Sequence, residues 1–103
     1  MKKLIQWFED ADKQILMDKD EYETYQMLPN TVDIYRGIAS KSNLNGISWT
    51  TNFETAKWFA NRWNKNGYVV KAKIFKNNVL SYYLRRGEYE IIVDVPESKI
   101  IRI

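Results

Sequence analysis

Cysteine and histidine are both missing from this chain of 103 residues. Without cysteine there are no disulfides and no thiolate nucleophile, and without histidine no imidazole can serve as a base. Together the two absences remove zinc sites of the usual kind, so no metal is expected. No run approaches the roughly 18 apolar residues a membrane helix needs, and the stretch from Met1 to Phe8 is too short and too polar for a signal peptide. The expectation is a cytoplasmic protein with no membrane partner. The sequence also lacks a glycine-rich phosphate loop, a dinucleotide fingerprint and any block of lysine or arginine. A net charge of +3 favours anionic partners without naming one.

What is present is enough for one core. Hydrophobic residues make up 45% and aromatics 15%, which can offset chain entropy despite 28% charged residues. The length suits a single domain covering residues 1–103. Leu4, Trp7, Phe8, Ala11 and Ile15 recur at three- and four-residue spacing and predict a helix over residues 3–17. Asp18, Lys19 and Asp20 break that pattern, a second short helix is predicted over residues 21–27, and Pro29-Asn30 signals a turn.

From Thr31 the period becomes two. Val32 and Ile34 alternate with Asp33 and Tyr35 into Arg36-Gly37, predicting a first strand, followed by a polar loop over residues 39–45 and a short second strand from Gly46 to Thr50. Thr51 and Glu54 fit a capping box, and Phe53, Ala56, Phe59, Ala60 and Trp63 line one stripe of a helix that ends in residues 64–67. Residues 68–75, 79–83, 88–93 and 98–103 are rich in β-branched and aromatic residues and predict four more strands. Helices first and strands later point to an α+β domain.

Three constellations stand out. Alternation along residues 88–93 puts Glu88, Glu90 and Ile92 on one face, so two carboxylates about 7 Å apart share a surface, an arrangement that costs a strand stability. Arg36 ends a strand beside a glycine, where a guanidinium can fork onto a phosphate or carboxylate. Ser48 and Thr50 flank Trp49, so both hydroxyls point one way and the indole the other. Each has a structural explanation: a solvated strand face, an arginine paired with Asp33 or a glutamate, and an ordinary strand pattern.

In their order along the chain, Tyr35-Arg36-Gly37, Ser48-Trp49-Thr50 and Glu88-Tyr89-Glu90 resemble the ADP-ribosyltransferase family, in its class built on an arginine, a serine-threonine-serine strand and a glutamate-x-glutamate strand. The resemblance covers residues 32–103; the second motif reads Ser-Trp-Thr, and the stretch from Arg36 to Ser48 is short. It implies an ADP-ribosyltransferase-like fold: N-terminal helices, then a split, mainly antiparallel β-sheet core with one helix after the second strand. It also implies a compact enzyme that uses NAD as substrate and modifies a protein side chain, with a bacteriophage or mobile-element effector aimed at a host defence protein as one setting. Under that resemblance Arg36, Ser48, Glu88 and Glu90 form the catalytic set. Arg36 holds an NAD phosphate or ribose, Ser48 orients the glutamate and ribose, Glu90 bonds the ribose hydroxyl and stabilises developing positive charge, and Glu88 approaches the acceptor. Tyr35, Gly37, Trp49 and Thr50 join Arg36 and Ser48 around the NAD. Tyr35, Trp49 and Trp58 are the aromatics available to stack on a ring, with core packing as the competing explanation.

Other readings remain open beside this one. The same domain without turnover serves as an inhibitor or adaptor that binds a partner protein or a nucleotide. Lys71, Lys73 and Lys76 with Tyr68 and Phe75 offer a basic, aromatic face for single-stranded nucleic acid, a partner ranked last because edge lysines also prevent strand pairing between molecules. Asp18-Lys19-Asp20 opens like a calcium loop, but the glycine and terminal glutamate such a loop requires are not at the right spacing.

Overall fold

The structure is a computed structural model that describes residues 6, 16–38, 46–62, 67–84 and 89–103. Apart from Gln6, Leu16 and Met17, the helix expected over residues 3–17 lies outside the described residues, as do the polar loop 39–45, Trp63 with residues 64–66, and residues 85–88, which include Glu88.

Helix α1 spans Lys19–Gln26. Asp18, expected to break helical structure, starts it instead. Its Oδ1 accepts from the Glu21 backbone N–H at 2.8 Å, and Glu21 Oε1 accepts from the Asp18 N–H at 3.0 Å. This reciprocal capping box satisfies two of the donors that a helix start leaves open.

Strands β1 (Thr31–Ile38), β2 (Ser48–Thr50), β3 (Tyr68–Phe75), β4 (Ser81–Tyr83), β5 (Glu90–Ile92) and β6 (Ile101–Arg102) form one six-stranded antiparallel sheet in the order β4-β5-β2-β1-β3-β6. β3 has the expected bounds. The other three late strands are shorter than predicted: β4 begins only at Ser81, the 3₁₀ turn at Glu97–Lys99 takes the first residues of the last run, and Tyr89 adopts φ 51°, a left-handed conformation that cannot continue a strand. The alternation expected to extend from Glu88 to Glu90 is therefore interrupted at Tyr89.

The sheet is uneven in its joins. β1 and β3 pair at every residue from Thr31↔Phe75 to Ile38↔Tyr68, whereas β1 and β2 share the single pair Tyr35↔Thr50. Two halves, β4-β5-β2 and β1-β3-β6, thus meet at one bridge and then separate.

One face carries the main core: Val32, Ile34, Ile38, Trp49, Val70, Ala72, Ile74, Tyr82 and Ile91, joined by Met17 and covered in part by Tyr22, Tyr25 and Leu28. On the other face helix α2 (Phe53–Asn61) packs its buried Ala56 and Ala60 against Val69 and Tyr35. The N-cap of α2 is Asn52, whose Oδ1 accepts from Thr55 N–H at 3.0 Å, so a single cap bond one residue later stands in place of the box expected from Thr51 and Glu54. Thr50 Oγ1 makes that start rigid by accepting from Asn52 N–H at 3.1 Å. Gly37 lets helix and strand touch backbone to backbone: a Cβ there would lie 2.3 Å from Ala56 O and 2.5 Å from Ala60 N. Trp58, for which core packing was one explanation, is 59% exposed on the outer side of α2.

Candidate functional site

The site is built where β1 and β2 part. On β2 the Ile47 carbonyl accepts from Val93 N–H at 3.0 Å, so Ile47 and Trp49 turn their backbone groups toward β5, while Ser48 and Thr50 turn theirs toward β1. Thr50 finds Tyr35 there. Ser48 would meet Gly37 two residues further along, but Gly37 is held under α2 and the ladder has stopped. The Ser48 carbonyl is instead taken by the Arg36 side chain, whose Nη1 donates to it at 3.0 Å. An arginine thus supplies the bond that the splayed backbone no longer makes.

The Ser48 side chain links to the third strand. Its Oγ donates to Glu90 Oε2 at 2.5 Å, across the diagonal of the β2–β5 ladder in which Thr50 stands directly opposite Glu90. Ser48, Thr50 and Glu90 therefore share a face, and Trp49 and Ile91 lie on the opposite one. Arg36, Ser48 and Glu90 come from three strands and are joined through Ser48, but alternation from the Tyr35↔Thr50 pair sets Arg36 on the face of Ile34 and Ile38, opposite the Ser48 hydroxyl and Glu90, and its bond is to the Ser48 backbone carbonyl.

Partial burial lowers the pKa of the Arg36 guanidinium from its ordinary value. A guanidinium so placed keeps its charge at neutral pH and, with fewer waters around it, interacts more strongly with an anion. Gly46 lies flush against it: a Cβ on Gly46 would stand 2.0 Å from Nη1, 2.1 Å from Nη2 and 2.2 Å from Cζ. The structural explanation by which Arg36 pairs with Asp33 gives way to a different arrangement, since Asp33 faces Lys71 Nζ at 3.8 Å and Lys73 Nζ at 4.0 Å. Those exposed pairs contribute little stability.

The other expected site residues are dispersed. Tyr35 is half-buried on the Thr50 side of the sheet and meets Phe53 edge to face, with ring centroids 5.6 Å apart. Thr50 is buried and its Oγ1 serves the α2 cap. Gly37 is covered by α2, and Trp49, 2% exposed, belongs to the core on the far side. Two residues that sequence reasoning did not place in the site are near it. Phe53 was visible only as the first member of a helical stripe, and Gly46 only as the start of a strand. Of the basic, aromatic set on β3, Lys71, Lys73 and Phe75 share one face by alternation and Tyr68 points the other way. Lys76 lies over Tyr25 at 5.5 Å instead.

Among the described residues no cluster of histidine, cysteine, aspartate or glutamate could hold a metal ion, and no helix is long and apolar enough to cross a membrane. Comparison with family models, curated proteins and solved structures finds no match to this chain.

Proposed function

We propose that the chain is an NAD-dependent mono-ADP-ribosyltransferase that modifies a protein side chain. The observation that supports this most is the connected set Arg36–Ser48–Glu90, in which one serine accepts from the guanidinium through its carbonyl and donates to the carboxylate through its hydroxyl. In this reading Arg36 anchors an NAD phosphate or ribose, and the Ser48 bond holds Glu90 in one rotamer against the ribose hydroxyl. The bond between the ribose anomeric carbon and the nicotinamide nitrogen breaks, and nicotinamide leaves with the electron pair. Glu90 stabilises the positive charge that grows on the ribose, and the acceptor then bonds to the anomeric carbon and gives up its proton. Tyr35 and Phe53 supply an aromatic edge on the same side of the sheet as Glu90. Glu88 addresses the acceptor.

The test is incubation with NAD and cell lysate, followed by intact mass and by nicotinamide release. Wild type should form adducts of one ADP-ribose, and Glu90→Gln should lose them by a factor of at least about a hundred, the scale at which a charge-stabilising group acts in a transition state. Equal rates in the two proteins rule the enzyme out.

A second reading is favoured by the engagement of Arg36 with its own chain at the Ser48 carbonyl. Here the domain keeps the cleft without turnover and acts as an inhibitor or adaptor that binds a nucleotide or a partner protein. Calorimetry with NAD and ADP-ribose separates the two: binding without nicotinamide release supports this second reading, and no binding of either leaves only a protein partner.

A further inference from the structure

We infer that Gly46 is a positioning residue of the site, kept free of a side chain so that the Arg36 guanidinium can occupy the gap where β1 and β2 separate. The inference concerns the same site as the proposed transferase, and its use in NAD binding rests on that reading. Two glycines frame the gap and act in opposite ways. Gly37 admits helix α2 against β1, where an added Cβ would meet backbone at 2.3 Å and 2.5 Å. Backbone in a packed helix has nowhere to go. Gly46 instead admits a side-chain tip, with all three of its nearest contacts, at 2.0, 2.1 and 2.2 Å, belonging to the Arg36 guanidinium. An arginine tip can rotate away at little cost, so the structure would survive a methyl group at residue 46 and the placement of the guanidinium would not.

The backbone imposes no separate need for glycine at this position, because Gly46 does not adopt the left-handed torsion that disfavours other residues. What glycine provides here is space. The bond that depends on this space is the one from Arg36 Nη1 to the Ser48 carbonyl, and Ser48 in turn holds Glu90. A methyl group at residue 46 therefore acts through Arg36 and Ser48 without touching a substrate.

The experiment compares wild type, Gly46→Ala and Gly37→Ala by thermal unfolding, by nitrogen-15 NMR of the arginine side chains and by NAD calorimetry, with Arg36→Lys used to assign the Arg36 signal. Gly46→Ala should unfold within a few degrees of wild type, lose the shifted, slowly exchanging Arg36 guanidinium signal and bind NAD at least about tenfold more weakly, the scale of one charge-assisted contact. Gly37→Ala should lose its cooperative transition or melt far lower. An unchanged Arg36 signal in folded Gly46→Ala overturns the inference, as does a Gly46→Ala protein as damaged as Gly37→Ala. If wild type binds no NAD, the transferase reading fails while the NMR comparison still decides the role of Gly46.

Discussion

Glu21 is a charged residue only 7% exposed, and replacing it by alanine gives a sharp test of how α1 is tied to the sheet. Its carboxylate accepts two backbone N–H groups, from Asp18 at 3.0 Å through Oε1 and from Leu84 at 2.8 Å through Oε2. The first bond closes the start of α1, and the second fastens the residue that follows β4. Alanine leaves both donors without an acceptor in partly buried surroundings, at about 1–3 kcal/mol for each unmet group, less where water can enter at the helix end. A total loss of about 2–4 kcal/mol follows, a large share of the roughly 5–15 kcal/mol that stabilises a domain. In a chain of this size that loss lowers the melting temperature by about 10 °C or more. Urea unfolding monitored by tryptophan fluorescence measures it. Glu21→Gln keeps one accepting oxygen and turns an amide donor toward the other N–H, so it should fall between wild type and alanine. An alanine variant within about 0.5 kcal/mol of wild type, the range of an ordinary surface change, would refute the argument.

Gly37→Ala should be the more damaging of two glycine substitutions, with a cost of at least about 1–3 kcal/mol from overpacking against helix backbone; calorimetric unfolding beside Gly46→Ala gives the order. Burial raises the Tyr82 phenol above its ordinary value of 10.0, a shift opposed by a side-chain hydrogen bond with Thr51 and reinforced by Tyr89. The unfolded chain thus ionises first, so the contribution of Tyr82 to stability is whole below pH 10 and is lost as pH climbs through its higher folded value. Alkaline unfolding should begin near the tyrosine range and shift in Tyr82→Phe, read by absorbance at the tyrosinate band; superimposable curves for the two proteins would remove this cause.

Much of the architecture is legible in the residues because local periodicity carries it. The alternation through Thr31 to Ile38 and Tyr68 to Phe75 yields two strands that pair along their whole length, and the Ala56 and Ala60 spacing marks the buried stripe of α2. Misplaced boundaries have local causes that propensity does not resolve. Asp18 breaks apolar periodicity and caps a helix at once, and Asn52 rather than Thr51 offers the capping oxygen to α2. Tyr89 leaves the extended region altogether, so a reading that carries alternation from Glu88 to Glu90 fails at a residue whose type gives no warning.

For the candidate site, the residue types and the alternation of Ser48, Trp49 and Thr50 determined by themselves that a hydroxyl would face one way and the indole another, since successive side chains on a strand must oppose each other. They could not determine which carboxylate the hydroxyl would meet, because that depends on β2 lying beside β5, a pairing between residues 42 apart in sequence. Nor could they reveal that β1 and β2 share one pair and then part. That separation leaves the Ser48 carbonyl to the Arg36 side chain, with Gly37 bare against α2 and Gly46 bare against the guanidinium.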